Sequence, residues 1–146
     1  MSNNDTADEG NRAERLLSPR FAFVKLVTAD LERASKFYSE VLSLVPSERF
    51  ESPHLIELVM RAARDEGFAL VLCKYVEGDP PVAGNTVGPI GFDVADADAV
   101  LEFAVAAGGT MSRPSLDSGP WRVAFFRDPD GSEIELLSKL QADPAR

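Results

Sequence analysis

The residues of this chain that could do chemistry are mostly carboxylates on strand-like segments, together with one cysteine and one histidine. Cys73 is the only cysteine, so the sequence allows neither an intrachain disulfide nor a thiolate metal cluster. His54, the only histidine, follows Pro53 in a predicted turn and is not placed to activate Cys73 as a nucleophile. Glu135 alternates with apolar residues, and a carboxyl group among apolar neighbours suits general acid–base chemistry.

Two segments of the chain repeat each other, and this repeat determines the predicted fold. Residues 23–30 (FVKLVTAD) superimpose on residues 89–96 (PIGFDVAD) at an offset of 66 residues, and residues 67–72 (GFALVL) on residues 131–136 (GSEIEL) at an offset of 64. The first pair are alternating strands that end in an aspartate and lead into an amphipathic run. The sequence therefore predicts a βαβββ unit that occurs twice, in modules over residues 21–76 and 87–138, with any site between the halves.

Apolar periodicity and capping residues predict the elements within each module. Asp30 and Asp96 are predicted helix N-caps. The predicted strands span residues 21–28, 47–52, 55–60 and 68–74 in the first module, and 90–94, 110–113, 121–127 and 132–137 in the second. The predicted buried helix faces are Ala34, Phe37, Tyr38 and Val41 in the first module, and Val100, Phe103, Ala104 and Ala107 in the second.

Length and charge limit the possible classes of function. The 146 residues predict a single domain over residues 19–140, with a Gly- and Pro-rich linker at 77–86 and a polar, disordered N-terminal tail at 1–18. Because 15 Lys and Arg residues oppose 24 Asp and Glu residues, the net charge of −9 argues against a nucleic-acid partner. Neither a membrane span nor a signal peptide is predicted, so we expect a cytoplasmic protein.

Three segments carry a resemblance to a known family. They are VTADLERASKFYSEVL (27–42), VGPIGFDVADADAV (87–100) and, most specifically, GPWRVAFFRDPDGSEIELL (119–137). The chain resembles the vicinal oxygen chelate superfamily, which includes glyoxalase I, bleomycin-resistance proteins and extradiol dioxygenases, over about residues 21–138. The resemblance implies an α+β fold in which two tandem βαβββ modules form a half-barrel cup, the glyoxalase/bleomycin-resistance fold.

The resemblance also implies a metal site, and here the sequence departs from the family. Members usually hold a metal ion in the cup on four side chains from four strands. Carried over by position, these ligands fall on Phe23, Val71, Pro89 and Glu135, of which only Glu135 can bind a metal ion. We therefore expect no metal and no other cofactor, and a metal-dependent glyoxalase or dioxygenase is not expected.

Strand alternation predicts which side chains face the cup, where a small molecule could contact them. Lys25 either extends to the rim over Phe23 or pairs with Glu57 or Glu135. Trp121 and nearby aromatic residues could stack on a planar ligand, although alternation places one of Phe125 and Phe126 in the core. The predicted ligand-binding residues are Phe23, Lys25, Glu57, Val71, Cys73, Pro89, Asp93, Trp121, Arg122, Phe126 and Glu135.

Three functions remain open at this point. The first is a metal-free small-molecule-binding protein that takes a planar or cationic organic ligand in a cup at a homodimer interface. The second, implied by the resemblance to glyoxalase I, is a lyase or isomerase that uses Glu135 as a general acid or base. The third is a diverged homologue whose cup is filled by its own side chains. Whether the protein is an enzyme is not decided by these residues.

Overall fold

The computed structural model describes residues 21–85 and 87–140, so the predicted tail at residues 1–18 lies outside the described residues. The described part follows the order βαβββ–βαβββ. Its first half holds β1 (Phe23–Val27), α1 (Leu31–Leu42), β2 (Leu44–Glu51), β3 (Leu55–Ala62) and β4 (Asp65–Tyr75). Its second half holds β5 (Ile90–Asp93), α2 (Ala97–Ala106), β6 (Thr110–Ser118), β7 (Trp121–Arg127) and β8 (Glu133–Lys139). Neither of these helices has the length and apolar character that crossing a membrane requires.

The strands form two four-stranded sheets with the same topology. The N-terminal sheet has the order β1-β4-β3-β2, and the C-terminal sheet has the order β5-β8-β7-β6. In each sheet the first strand runs parallel to the last, with Phe23 opposite Ala69 and Ile90 opposite Ile134, and the remaining pairs are antiparallel. The predicted α+β fold of two tandem βαβββ modules is confirmed.

Both predicted helix caps are confirmed. The side chain of Asp30 accepts a hydrogen bond from the backbone N–H of Arg33 at 3.0 Å, and Asp96 accepts one from Ala99 at 3.0 Å. Each cap satisfies a backbone donor that the first helical turn leaves free, which is worth about 1 kcal/mol. The repeated aspartate therefore fixes the point at which each first strand turns into its helix.

One hydrophobic core joins the two modules. The helix-facing sides of both sheets contribute to it together with residues of both helices, including Phe37, Leu72, Leu101 and Leu136. The ring of Phe37 in α1 lies 5.9 Å from the ring of Phe126 in β7, so the first helix packs against the second module's sheet. The core therefore lies between the two sheets and includes the buried face of each helix.

The turn between β7 and β8 connects the modules by polar contacts as well. The buried hydroxyl of Tyr38 donates to Oδ2 of Asp128 at 2.7 Å. Burial, reinforced by the charge of Asp128, raises the pKa of Tyr38. The carboxylate of Asp130 accepts hydrogen bonds from Oγ1 of Thr28 at 2.6 Å and from Nη2 of Arg33 at 2.8 Å. These contacts fix the second module's turn on the junction between β1 and α1.

Two edge strands are longer than the sequence predicted. The predicted strands over residues 47–52 and 110–113 leave Pro46 and Pro114 outside. In the structure β2 includes Pro46 and β6 continues through Pro114 to Ser118. Both are edge strands, and in both the register shifts near the proline, at the places where a sheet tolerates this residue.

The predicted buried face of the second helix is partly wrong. Phe103 is 62% exposed, whereas Ala97, Leu101 and Ala104 are buried. The helix is apolar nearly all round, so its periodicity fits two faces about equally well. Packing on the shared core selects the face that carries Leu101.

Candidate functional site

The outer face of the N-terminal sheet, turned away from the helices, carries the first group of predicted site residues. Phe23, Lys25 and Val27 of β1 lie on this face, because Val24 and Leu26 pack against the core on the other side. Phe23 is 55% exposed. Lys25 is in register with Val71, and Val27 with Cys73. The predicted alternation of this strand is confirmed.

Lys25 and Glu57 form an ion pair on this outer face. The sequence left three placements of Lys25 open, namely pairing with Glu57, pairing with Glu135 or extension to the rim. The structure shows the pair with Glu57. The carboxylate of Glu57 is the less exposed partner, with 20% of its side chain accessible against 44% for Lys25. The hydrogen bond to Glu57 raises the pKa of Lys25, because it stabilises the charged ammonium.

Val71 and Cys73 form the floor of the outer face and show little surface. Val71 packs with Val59 and Ala69 in a small apolar cluster, and Cys73 is 2% exposed. Burial raises the pKa of the Cys73 thiol, and the charge of Glu57 raises it further. The thiol therefore stays protonated and unreactive, as a small buried apolar group does.

The outer face of the C-terminal sheet carries Glu135. In the register of the sheet Glu135 lies between Gly91 and Phe125. It is half-buried, and its side chain makes no hydrogen bond or ion pair with the described residues. A side chain at Gly91 would meet no atom within 4 Å, so the space beside Glu135 is open. The neighbouring Asp93 is exposed on the same face, opposite Leu137.

An aromatic surface continues this face beyond Glu135. The guanidinium of Arg113 lies over the ring of Phe125 at 3.7 Å and donates to Glu133 at 3.2 Å. Trp121, at the start of β7, is half-buried with the Lys139 ammonium 5.9 Å from its ring centroid. Arg113 was missed because its strand was predicted to end there. The continuation of β6 beyond Pro114 leaves Arg113 in register with Phe125.

Two predicted ligand contacts lie on the wrong side of β7. Phe126 is fully buried in the core between sheet and helices, so it cannot contact a ligand on the outer face. Arg122 donates to Asp98 of α2 at 2.9 Å and to Asp117 at 3.1 Å, on the side of the helix. Strand alternation puts both on the opposite side from Phe125, which pairs with Glu135.

The residues at the four positions where the resemblance places metal ligands do not fit a metal ion. Phe23 and Val71 offer hydrocarbon side chains on the outer face of one sheet, and the half-buried Pro89 precedes β5. Glu135 is the single donor, and it lies on the other sheet. Within residues 21–85 and 87–140 no group of three or more His, Cys, Asp or Glu side chains is arranged to hold a metal.

The two outer faces do not meet within one chain. Both sheets turn their helix-facing sides to the shared core, so both outer faces turn away from it. A groove of about 620 Å³ lies along the free edge of β1, and Lys25 lines it together with the turn after β7. A second groove of about 510 Å³ lies along β5 and includes Asp93. Neither groove contains Glu135, Phe125 or Trp121.

Comparison with known proteins adds independent findings. A model of the Glyoxalase/Bleomycin resistance protein/Dioxygenase superfamily matches residues 20–136. The chain is 31% identical over 129 residues to a probable lactoylglutathione lyase of Vibrio parahaemolyticus, covering 84% of this chain and 93% of that one. It is 32% identical over 117 residues to a lactoylglutathione lyase of Haemophilus influenzae, covering 77% and 87%.

Solved structures share the fold. A glyoxalase I mutant from Zea mays superimposes with a TM-score of 0.71 at 25% identity, covering 80% of this chain but only 45% of the maize chain. A glyoxalase/bleomycin resistance protein from Albidiferax ferrireducens superimposes with a TM-score of 0.63 at 26% identity, covering 82% of this chain and 98% of that one.

Proposed function

This chain belongs to the Glyoxalase/Bleomycin resistance protein/Dioxygenase superfamily, and from that premise we propose that it binds a planar organic ligand, without a metal ion, in a cup shared by two copies of the chain. The observation that carries the proposal is that apolar residues stand at three of the four positions where the resemblance places metal ligands, while the outer faces keep charged side chains, the exposed Phe23 and the half-buried Trp121. Such a mixture of apolar surface and a few polar groups is typical of small-molecule sites.

Two walls would form this cup. One is the outer face of the N-terminal sheet, with Phe23 and the Lys25–Glu57 pair. The other is the outer face of the C-terminal sheet of the second copy, with Glu135, Phe125 and Trp121. A planar ring would stack on the exposed Phe23 or the half-buried Trp121, and a positive group on the ligand would lie beside Glu135, whose charge no described residue neutralises.

A second candidate function is a lyase or isomerase that uses Glu135 as a general acid or base. The similarity to proteins named lactoylglutathione lyase favours it. The unpartnered carboxylate of Glu135 beside the open space at Gly91 is a position from which a proton could be moved. With no group of metal ligands among the residues that the structure describes, any such reaction would use the acid and base groups of the chain itself.

We expect the purified protein to hold no stoichiometric divalent metal. Phe23, Val71 and Pro89 offer no lone pairs, and a single carboxylate does not make a tight site. Elemental analysis after dialysis measures the metal content directly. About one zinc, nickel or iron ion per chain would contradict both the ligand assignment and the proposed metal-free binding.

We expect the protein to be a homodimer. The edge strands β1 and β5 each pair on one side only, and the outer face of the N-terminal sheet leaves Phe23, Phe50 and Tyr75 more than half exposed. A second chain that covers this face would bury the apolar surface and the strand edges together. Sedimentation equilibrium at micromolar concentration should give twice the chain mass.

A matched pair of variants tests which surface is responsible. Phe23→Asp places a charge on the outer face and should shift the equilibrium toward monomers. Phe103→Asp makes the same change at a similarly exposed position on α2 and should leave the dimer intact. A monomeric wild-type protein, or dissociation by Phe103→Asp alone, would count against a cup between two outer faces.

A further inference from the structure

The ion pair on the N-terminal sheet lies in the region where the family resemblance places two metal ligands. Lys25 lies two residues after Phe23 on the same face of β1, and it is in register with Val71 of β4. Phe23 and Val71 are two of the positions at which the family resemblance places metal ligands. The ammonium group therefore extends from a backbone position adjacent to both of them.

The pair is arranged so that the ammonium is the accessible partner. The Glu57 side chain is 20% exposed and one of its oxygens is fully buried, whereas 44% of the Lys25 side chain is accessible. An ammonium has three N–H donors, and among the described residues Glu57 is the hydrogen-bonding partner of Lys25. Glu57 thus fixes the position of the charge, and further donors remain available on the open side.

A fixed positive charge at this place selects the chemistry of a ligand. An ammonium group repels a divalent cation, which agrees with the loss of the metal ligands, and it attracts an anionic oxygen. Lys25 Nζ lies 5.7 Å from the centroid of the exposed Phe23 ring. A planar group stacked on Phe23 could therefore direct a carboxylate or enolate oxygen at its edge toward the ammonium.

We propose that Lys25, held by Glu57, supplies the positive charge of the cup in place of a metal ion and binds an anionic oxygen of the planar ligand. This inference rests on the proposed function. It defines the ligand class more closely, as a planar molecule with an acidic group directed at Lys25 and a basic group directed at Glu135. The alternative is a purely structural role, in which the Lys25–Glu57 ion pair stabilises the sheet and contacts no ligand.

The test uses naphthoate and its neutral counterpart naphthamide as probes, titrated calorimetrically into the full-length protein. Wild type should bind naphthoate more tightly than naphthamide. Lys25→Met should weaken naphthoate binding roughly 5- to 10-fold, the lower range for a partly exposed charged hydrogen bond, and leave naphthamide within about twofold. Lys25→Met leaves the Glu57 carboxylate unpaired, and this charge could itself repel naphthoate. The double variant Lys25→Met, Glu57→Leu removes both charges and should show the same loss of naphthoate affinity.

Glu57→Gln is the control that keeps the ammonium. Its amide oxygen can still hold Lys25 by accepting a hydrogen bond, while the competing negative charge is removed, so the preference for naphthoate should persist or increase. Equal weakening of both probes by Lys25→Met, or loss of the preference in Glu57→Gln, would overturn the role of Lys25. If wild type binds both probes without preference, this inference fails and the proposed function stands. If it binds neither probe at millimolar concentration, both fail.

Discussion

Phe126→Ala should lower the free energy of unfolding by about 3–5 kcal/mol, a large part of the stability of a domain of this size. Phe126 is fully buried, and its ring contacts Phe37 of the first module's helix at 5.9 Å. Truncation would leave a cavity at the point where the two modules share one core, and the surrounding strands and helices cannot collapse into it without moving both modules. Urea denaturation at a fixed protein concentration measures the loss, since association also contributes to stability.

Phe125→Ala is the matched control, because the neighbouring residue points to the other side of β7. Phe125 is covered by the exposed guanidinium of Arg113 rather than by a helix. A flexible cover can close over the lost ring, so we expect a smaller loss of stability together with weaker binding of a planar ligand. Equal destabilisation by the two variants would show that the outer face is as tightly packed as the shared core.

The internal repeat explains why the fold could be predicted from the sequence. The aspartates at 30 and 96 cap the two helices through their own side chains, so the local sequence is enough to position both turns from strand to helix. Alternation likewise placed Lys25 and Leu26 on opposite faces of β1. Such features depend on residues close together in sequence, and local patterns are sufficient to predict them.

The errors arose where neighbouring elements decide the outcome. Whether Pro114 ends a strand depends on whether the strand lies at an edge, and this is a property of the whole sheet. The side of β7 that faces the site depends on its pairing with β8, where Phe125 and not Phe126 lies opposite Glu135. Arg122 and Phe126 were assigned to the ligand from their position beside Trp121, without that register.

The arrangement of the two outer faces relative to each other could not be predicted from local sequence patterns either. Each module by itself predicts a curved sheet with a helix on one side. How the modules pack depends on contacts between distant residues, such as Tyr38 with Asp128 and Thr28 with Asp130. These contacts hold the two modules on a common core, and Lys25 and Glu135, which the sequence predicted to line one cup, are consequently not brought together within one chain.

Glu135→Gln should separate the two proposed functions. The substitution keeps the shape of the side chain and removes its charge. If the cup only binds, affinity for a ligand with a positive group should fall roughly 5- to 150-fold, the range expected for a charged hydrogen bond, while a neutral ligand is hardly affected. If Glu135 moves a proton, binding should survive and turnover should fall by about 10²–10⁴-fold. Affinity and conversion of the same ligand, measured side by side, distinguish these outcomes.

Trp121→Ala completes this experiment, because the proposed stacking contributes to binding in either case. Its removal should weaken binding of a planar ligand in both a binding protein and an enzyme, and in an enzyme that reacts only after binding it should raise KM more than it lowers kcat. Glu135→Gln acts on charge and Trp121→Ala on contact area, so the two losses have different causes and should respond differently to ionic strength. If neither variant changes affinity or turnover, the outer face of the C-terminal sheet binds no ligand, and Glu135 remains only as a carboxylate inherited from metal-binding relatives.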